Sequence, residues 1–205
     1  MNFSLLRPWS KPVLFLLALV PFLTLLLRAT NDSLGPNPAE ALMRGTGDWT
    51  LRMVVLTLLI TPLRQWTGWQ TLASWRRMLG LFAFFYGVTH FLCFAWLDMG
   101  FEWAAIVLDL AKRPFVLAGS TALLLMLPLA ATSSNWAVRA LGGTRWRRLH
   151  KLVYGVAALG LLHFFWMRSA KHDYAEVLIY AAALAVLMGA RVAHWRRSMS
   201  RRQAR

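Results

Sequence analysis

The chain has 205 residues, 58% of them hydrophobic, and 23 Lys+Arg against 8 Asp+Glu leave a formal charge of +15. A water-soluble domain interrupts its apolar runs more often than this, and runs approaching about 18 residues read as bilayer spans. A single cysteine, Cys93, excludes an intramolecular disulfide and a cysteine-held iron–sulfur cluster.

In chain order the sequence predicts six membrane helices: residues 13–27, 49–63, 78–97, 114–131, 149–167 and 175–194. No alternation of strand type competes, so the expected fold is all-α, one polytopic bundle over residues 1–205 with no soluble domain. The first run is short and holds Pro21. A basic start before an apolar stretch also fits a cleaved leader, but Arg28-Ala29-Thr30-Asn31 is a poor cleavage site and the run is read as retained. The connection from Thr30 to Asp48 carries Gly35-Pro36-Asn37-Pro38 and reads as the longest loop. Arg52, near one end of the second run, is expected to snorkel to the headgroups. Pro62 sits at the inner end of that run, and Pro114 opens the fourth, where its missing N–H costs nothing.

Charge orients the bundle. Arg7 and Lys11, then Arg64, Arg76 and Arg77, then Arg139, Arg145, Arg147 and Arg148, and finally Arg196, Arg197, Arg201, Arg202 and Arg205 fall in segments without acids. All eight acids lie in the other three connections: Asp32, Glu40 and Asp48; Asp98, Glu102 and Asp109; Asp173 and Glu176. The positive-inside bias then puts both termini in the cytoplasm. Charge sorted by loop needs no nucleic acid to explain it. The eleven tryptophans fall near run ends, as expected of interfacial belts.

Two histidines lie inside apolar runs. His90 is 13 residues beyond Arg77 and His163 is 15 beyond Arg148, which at 1.5 Å per residue is about 20 and 22 Å of helix. An ionisable side chain inside a span is a functional candidate by default. Two imidazoles at matched depth on two spans are the arrangement that bis-histidine ligation of a haem iron requires. Gly87 and Gly80 precede His90 on its helix and offer room for a macrocycle or for close helix contact. A proton relay calls for carboxylates within the spans, and zinc calls for about four ligands. Cys93 reads as a small buried hydrophobe. His150 sits at the inner start of the fifth run, where it is either a ligand of a second, inner haem or an interfacial side chain. His194 is the nearest other imidazole in depth, and Arg76 and Arg77 are placed to pair with propionates. His172, in an outer connection, reads as solvated.

The blocks Leu34 to Glu40 (LGPNPAE), Arg76 to Leu81 (RRMLGL) leading to His90-Phe91, Lys112-Arg113-Pro114, and Arg147 to His150 (RRLH) leading to His163-Phe164 resemble a known family. It is the haem-binding membrane subunit of the bacterial protein-methionine-sulfoxide reductase system, within the ferric-reductase-like transmembrane group. The resemblance runs from about Leu34 to Trp166. It implies an inner-membrane electron-transfer subunit rather than the site of substrate reduction. The family passes electrons from the quinone pool or a cytoplasmic flavin reductase to a periplasmic molybdenum enzyme that repairs oxidised methionine in proteins. It further implies b-type haem, one or two, with His90 and His163 as outer ligands and His150 as the third family histidine. FMN is implied by resemblance alone. Phe115 stands where the family pattern leads one to expect Tyr. Two other functions stay open at this point: a ferric reductase at the outer surface, and a small transporter or assembly factor whose histidines are structural.

Overall fold

The computed structural model describes residues 9–169 and 172–203, with side chains to residue 200. Arg7 and Arg205 therefore lie outside the described residues, as do the side chains of Arg201 and Arg202. The described chain is helical almost throughout: α1 (Ser10–Thr30), α2 (Pro38–Thr67), α3 (Leu72–Cys93), α4 (Trp103–Lys112), α5 (Pro114–Ala131), α6 (Asn135–Leu141), α7 (Gly143–Leu149), α8 (Leu152–Ser169) and α9 (Ala175–Gln203). A π-helical turn, Phe94–Asp98, prolongs α3.

Five segments are long and apolar enough to cross a membrane: Ser10–Thr30, Leu72–Asp98, Pro114–Ala131, Gly143–Ser169 and Ala175–Ser200. The second expected span is the exception. α2 has 30 residues, ample length at 1.5 Å per residue, but Asp48, Arg52 and Arg64 dilute its apolar character. It also starts far earlier than expected. Asn37 accepts the Glu40 N–H at 3.1 Å, Pro38 takes the first helical position, and helix replaces the second half of the expected loop. Gly68, at φ 72°, ends the helix in the left-handed conformation that costs glycine nothing.

The largest helix interfaces are α2 with α3 and α5 with α8. Tyr86, Leu58 and Leu72 are among the most deeply buried side chains. The outer surface is apolar instead: Leu16 and Leu17 of α1 and Leu178, Ile179 and Val186 of α9 are each at least 60% exposed, as on a lipid-facing bundle.

Two helix-interior prolines are stitched by neighbours, as spans require when water is absent. Around Pro21, the Tyr86 hydroxyl enters the α1 ladder, donating to Ala18 O at 2.8 Å and accepting from Phe22 N at 3.0 Å. Pro62 cannot bond Leu58 O, and the Arg191 guanidinium of α9 donates to that carbonyl. Arg52 reaches a neighbouring helix. Its Nε donates to the Tyr180 hydroxyl at 3.1 Å and its guanidinium lies 4.8 Å from the Trp49 ring centre, so it ties α2 to α9.

Candidate functional site

α3 and α8 carry His90 and His163 to one place. Their ring centres are 6.0 Å apart with planes 76° apart. Each ring leans on a different helix. His90 Nδ1 donates to Met43 O of α2 at 2.9 Å, and His163 Nδ1 donates to Phe115 O of α5 at 2.7 Å, the donor role following from the carbonyl acceptor. Such a bond from one ring nitrogen fixes the tautomer and leaves Nε2 with its lone pair, the form a metal takes.

The spacing fits one shared metal. Metal–imidazole bonds near 2.0–2.1 Å, plus roughly 1.1 Å from nitrogen to ring centre on each side, put two ligands of one ion about 6 Å apart. Among the described residues no three His, Cys, Asp or Glu side chains cluster as a metal cage. Two imidazole nitrogens, His90 Nε2 and His163 Nε2, are the donors that would hold a metal here, with its other ligands supplied by a macrocycle. Cys93, one turn beyond His90, is half-buried.

Of the two uses expected for Gly80 and Gly87, close helix contact is the one observed. A β-carbon on Gly87 would meet Leu123, Thr50 and Met126, and one on Gly80 would meet Thr57, so neither faces a histidine. Gly47 of α2 and Gly119 of α5 do: β-carbons there would stand 3.1 Å from the His90 ring and 2.8 Å from His163 Nδ1. Sequence reasoning missed both because they lie on the neighbouring helices. Phe115 is engaged through its backbone carbonyl, so Phe in place of Tyr leaves that contact unchanged.

At the other end of α8, His150 closes α7. Its ring stacks on Trp146 with centres 4.0 Å apart, and its Nε2 lies 3.0 Å from Thr132 Oγ1. Trp146 Nε1 also donates to Thr132 O at 2.9 Å, so both rings cap the end of α5. Beside them lies a cavity of about 330 Å³ lined by Arg64, Arg76, Arg77, Trp146 and His150 among apolar side chains. Arg77 donates to Asn135 Oδ1 at 2.6 Å. His150 is the one imidazole of that lining, and His194 is exposed on α9 and takes no part in it. His172 is exposed, with φ 51°.

The ion pairs among described residues gather at the opposite end: Arg44–Glu40, Arg113–Asp109, and Arg168 with both Asp173 and Glu176. Among the described residues, the cavity arginines Arg64, Arg76 and Arg77 are in no ion pair.

Residues 46–161 match the model of the ferric reductase like transmembrane component, a stretch that includes His90 and His150 and ends two residues before His163. The chain is 56% identical to the protein-methionine-sulfoxide reductase heme-binding subunit MsrQ of Polaromonas naphthalenivorans, over 96% of this chain and 90% of that one. It is 54% identical to the MsrQ of Ralstonia nicotianae over 92% and 89%. It is also 41% identical to the magnetosome protein MamZ of Magnetospirillum gryphiswaldense, over 91% of this chain but 29% of that longer protein. No solved structure matches. With the family model over more than half its length and MsrQ proteins alike over nine-tenths of it, the chain belongs to the ferric reductase like transmembrane family, in the MsrQ branch of protein-methionine-sulfoxide reductase subunits.

Proposed function

We propose that this chain is the haem-binding membrane subunit of a protein-methionine-sulfoxide reductase system. It carries electrons across the bacterial inner membrane to a periplasmic molybdenum-dependent enzyme that reduces oxidised methionine. The donor is the quinone pool or a cytoplasmic flavin reductase. The observation that carries the reading is the histidine pair: ring centres 6.0 Å apart, each Nδ1 committed to a carbonyl and each Nε2 left for iron. The relatives' printed name, heme-binding subunit, supports the same group. Bound there, a b-type haem supplies a one-electron iron couple.

The chain's own residues do the rest. His90 and His163 bind and orient. The packed α2, α3, α5 and α8 exclude water around them. Both termini lie in the cytoplasm in this reading, with six spans including α2, and the Arg76–His150 cavity then opens toward the cytoplasmic donor. Its three guanidiniums and one imidazole suit an anionic redox group, either the propionates of a second haem or the phosphate of FMN, with Arg77 and His150 as the contacts. A second imidazole facing His150 is absent from that lining, which leaves an inner haem one protein ligand short.

The test is a haem assay on the purified, detergent-solubilised protein. A low-spin spectrum should be present in the parent chain and lost in both His90→Ala and His163→Ala. A colourless parent protein would return the histidines to a structural role. Ferric reduction at the outer surface is disfavoured because four of the eight carboxylates that such a site would draw on, Glu40, Asp109, Asp173 and Glu176, are taken up in arginine pairs.

A further inference from the structure

The two histidines sit on cradles of the same design. In the α2/α3 pair the second helix supplies His90, while the first supplies the Met43 carbonyl and, four residues on, Gly47. In the α5/α8 pair the second helix supplies His163, while the first supplies the Phe115 carbonyl and, again four residues on, Gly119. Positions i and i+4 stack on one helix face. Each imidazole therefore lies across one turn, its Nδ1 on the carbonyl of residue i and its flank on residue i+4. A side chain at i+4 would press on the ring: a β-carbon would stand 3.1 Å from His90 Cε1 and Nδ1 at Gly47, a tight contact, and 2.8 and 3.0 Å from His163 Nδ1 and Cε1 at Gly119, where the ring would have to shift.

Backbone conformation does not call for glycine at either place. Both lie inside helices, and neither is among the glycines with positive φ. Glycine weakens a helix interior, so its use there needs a packing reason. The imidazole is that reason at both sites. By contrast, a β-carbon on Gly87 would meet only flexible side-chain ends, the nearest at 3.3 Å.

We propose that Gly47 and Gly119 are positioning residues for the two axial imidazoles, a step that rests on His90 and His163 sharing one haem. By admitting each ring to the helix surface they allow Nδ1 to reach its carbonyl. That bond fixes the tautomer and ring orientation and raises the basicity of Nε2. A more basic ligand favours ferric over ferrous iron and so lowers the midpoint potential. The cradles also hold the ring planes near perpendicular, at 76°. Near-perpendicular axial imidazoles give a strongly anisotropic low-spin ferric EPR signal.

The test uses the full chain, purified with its haem, as parent, Gly47→Ala, Gly119→Ala and Gly87→Ala, with His90→Ala as a control. Both cradle variants should bind haem about 10–100-fold more weakly, the usual cost of disturbing a ligand's hydrogen-bond partner. They should show a raised midpoint potential and an altered EPR anisotropy, Gly119→Ala more than Gly47→Ala. Gly87→Ala should match the parent in all three. Parent-like potential and EPR in both cradle variants would overturn the proposal. If those variants fail to fold, the unmodified chain decides: in the reduced, ¹⁵N-histidine-labelled protein both ligand rings should be Nδ1-protonated and slow to exchange in D₂O. Fast exchange, or Nε2 protonation, would overturn it. A parent without low-spin haem, or His90→Ala that keeps it, would instead remove the shared-haem reading and the cradle's role with it.

Discussion

At one end of the bundle two imidazoles face each other across 6.0 Å, each tied to a carbonyl of a neighbouring helix. At the other end one imidazole, His150, lies against Trp146 beside three guanidiniums. The first site is symmetric and built by packing. Its geometry comes from helix pairs, backbone carbonyls and the absence of two β-carbons. The second is asymmetric and built by charge, with cations that are in no ion pair among the described residues. A site fixed by packing suits a permanently held group that must not move. A site fixed by charge suits an anionic group met from water, where attraction works before contact.

Substituting the histidines separates the two ends most sharply. His163→Ala should abolish the low-spin haem signal, while His150→Ala should leave it, because the His150 Nε2 is engaged with Thr132 at the other end of α8. Visible spectra of the purified variants read this directly. A His150→Ala protein without the signal would mean that the two ends are one site.

The next effect is kinetic. Arg76→Gln with Arg77→Gln should slow reduction by the cytoplasmic donor by about 10-fold or more at low salt, the lower range of electrostatic steering, and should flatten the salt dependence. Chemical reduction by dithionite should be unchanged, since neither arginine touches the histidine pair. An unaltered salt profile would place the donor elsewhere.

A stability change follows in size. Tyr86→Phe removes the hydroxyl that both donates to Ala18 O and accepts from Phe22 N in a fully buried position. The loss leaves one backbone group of each kind exposed to hydrocarbon, at about 1–3 kcal/mol. A lower melting temperature in detergent, with the haem spectrum kept, is the expected result. An unchanged melting temperature would mean that the ladder of α1 closes on itself around Pro21.

Much of this was legible in the sequence, and the limits have physical causes. Apolar run length located α1, α3, α5, α8 and α9, with α3 starting six residues earlier and α9 ending nine residues later than expected, because a span must be long and apolar whatever its neighbours. Helix rise alone placed His90 and His163 at one depth, since both lie on unbroken helices. α2 was only half legible. Asn37-Pro38 with Glu40 is a helix start, but the surrounding turn residues outweighed it. α4 falls in an acid-bearing connection and has 10 residues, too short to read as a span. The Gly47 and Gly119 cradles and the Tyr86 and Arg191 stitches were out of reach, because each joins residues far apart in sequence. Arg52 shows the same limit, since its bond to the Tyr180 hydroxyl joins residues 128 apart in sequence.

The smallest effect concerns the face that carries the acids, which in the proposed orientation meets the periplasmic enzyme. Half of the acids there are neutralised within the chain: Glu40 pairs with Arg44, Asp109 with Arg113, and Asp173 and Glu176 with Arg168. Asp48 lies half-buried within α2, one turn before Arg52, so reversing it would disturb the helix before it disturbed a partner. Asp32, exposed in the connection, and Glu40 are the acids to reverse. Asp32→Lys with Glu40→Lys should slow transfer to the periplasmic partner by less than about fivefold, since exposed pairs are worth roughly 0.2–1 kcal/mol and rim charges act mainly on association rate. Glu40→Lys also puts a cation in the first turn of α2 beside Arg44, against the helix dipole, so Glu40→Gln serves as the control that removes charge without reversing it. Haem content should be the same in all three proteins, because Met43 acts through its backbone carbonyl. A loss as large as that at Arg76 and Arg77 would show that both ends of the bundle recruit their partners by charge, and the contrast between a packed end and a charged end would then describe cofactor binding only.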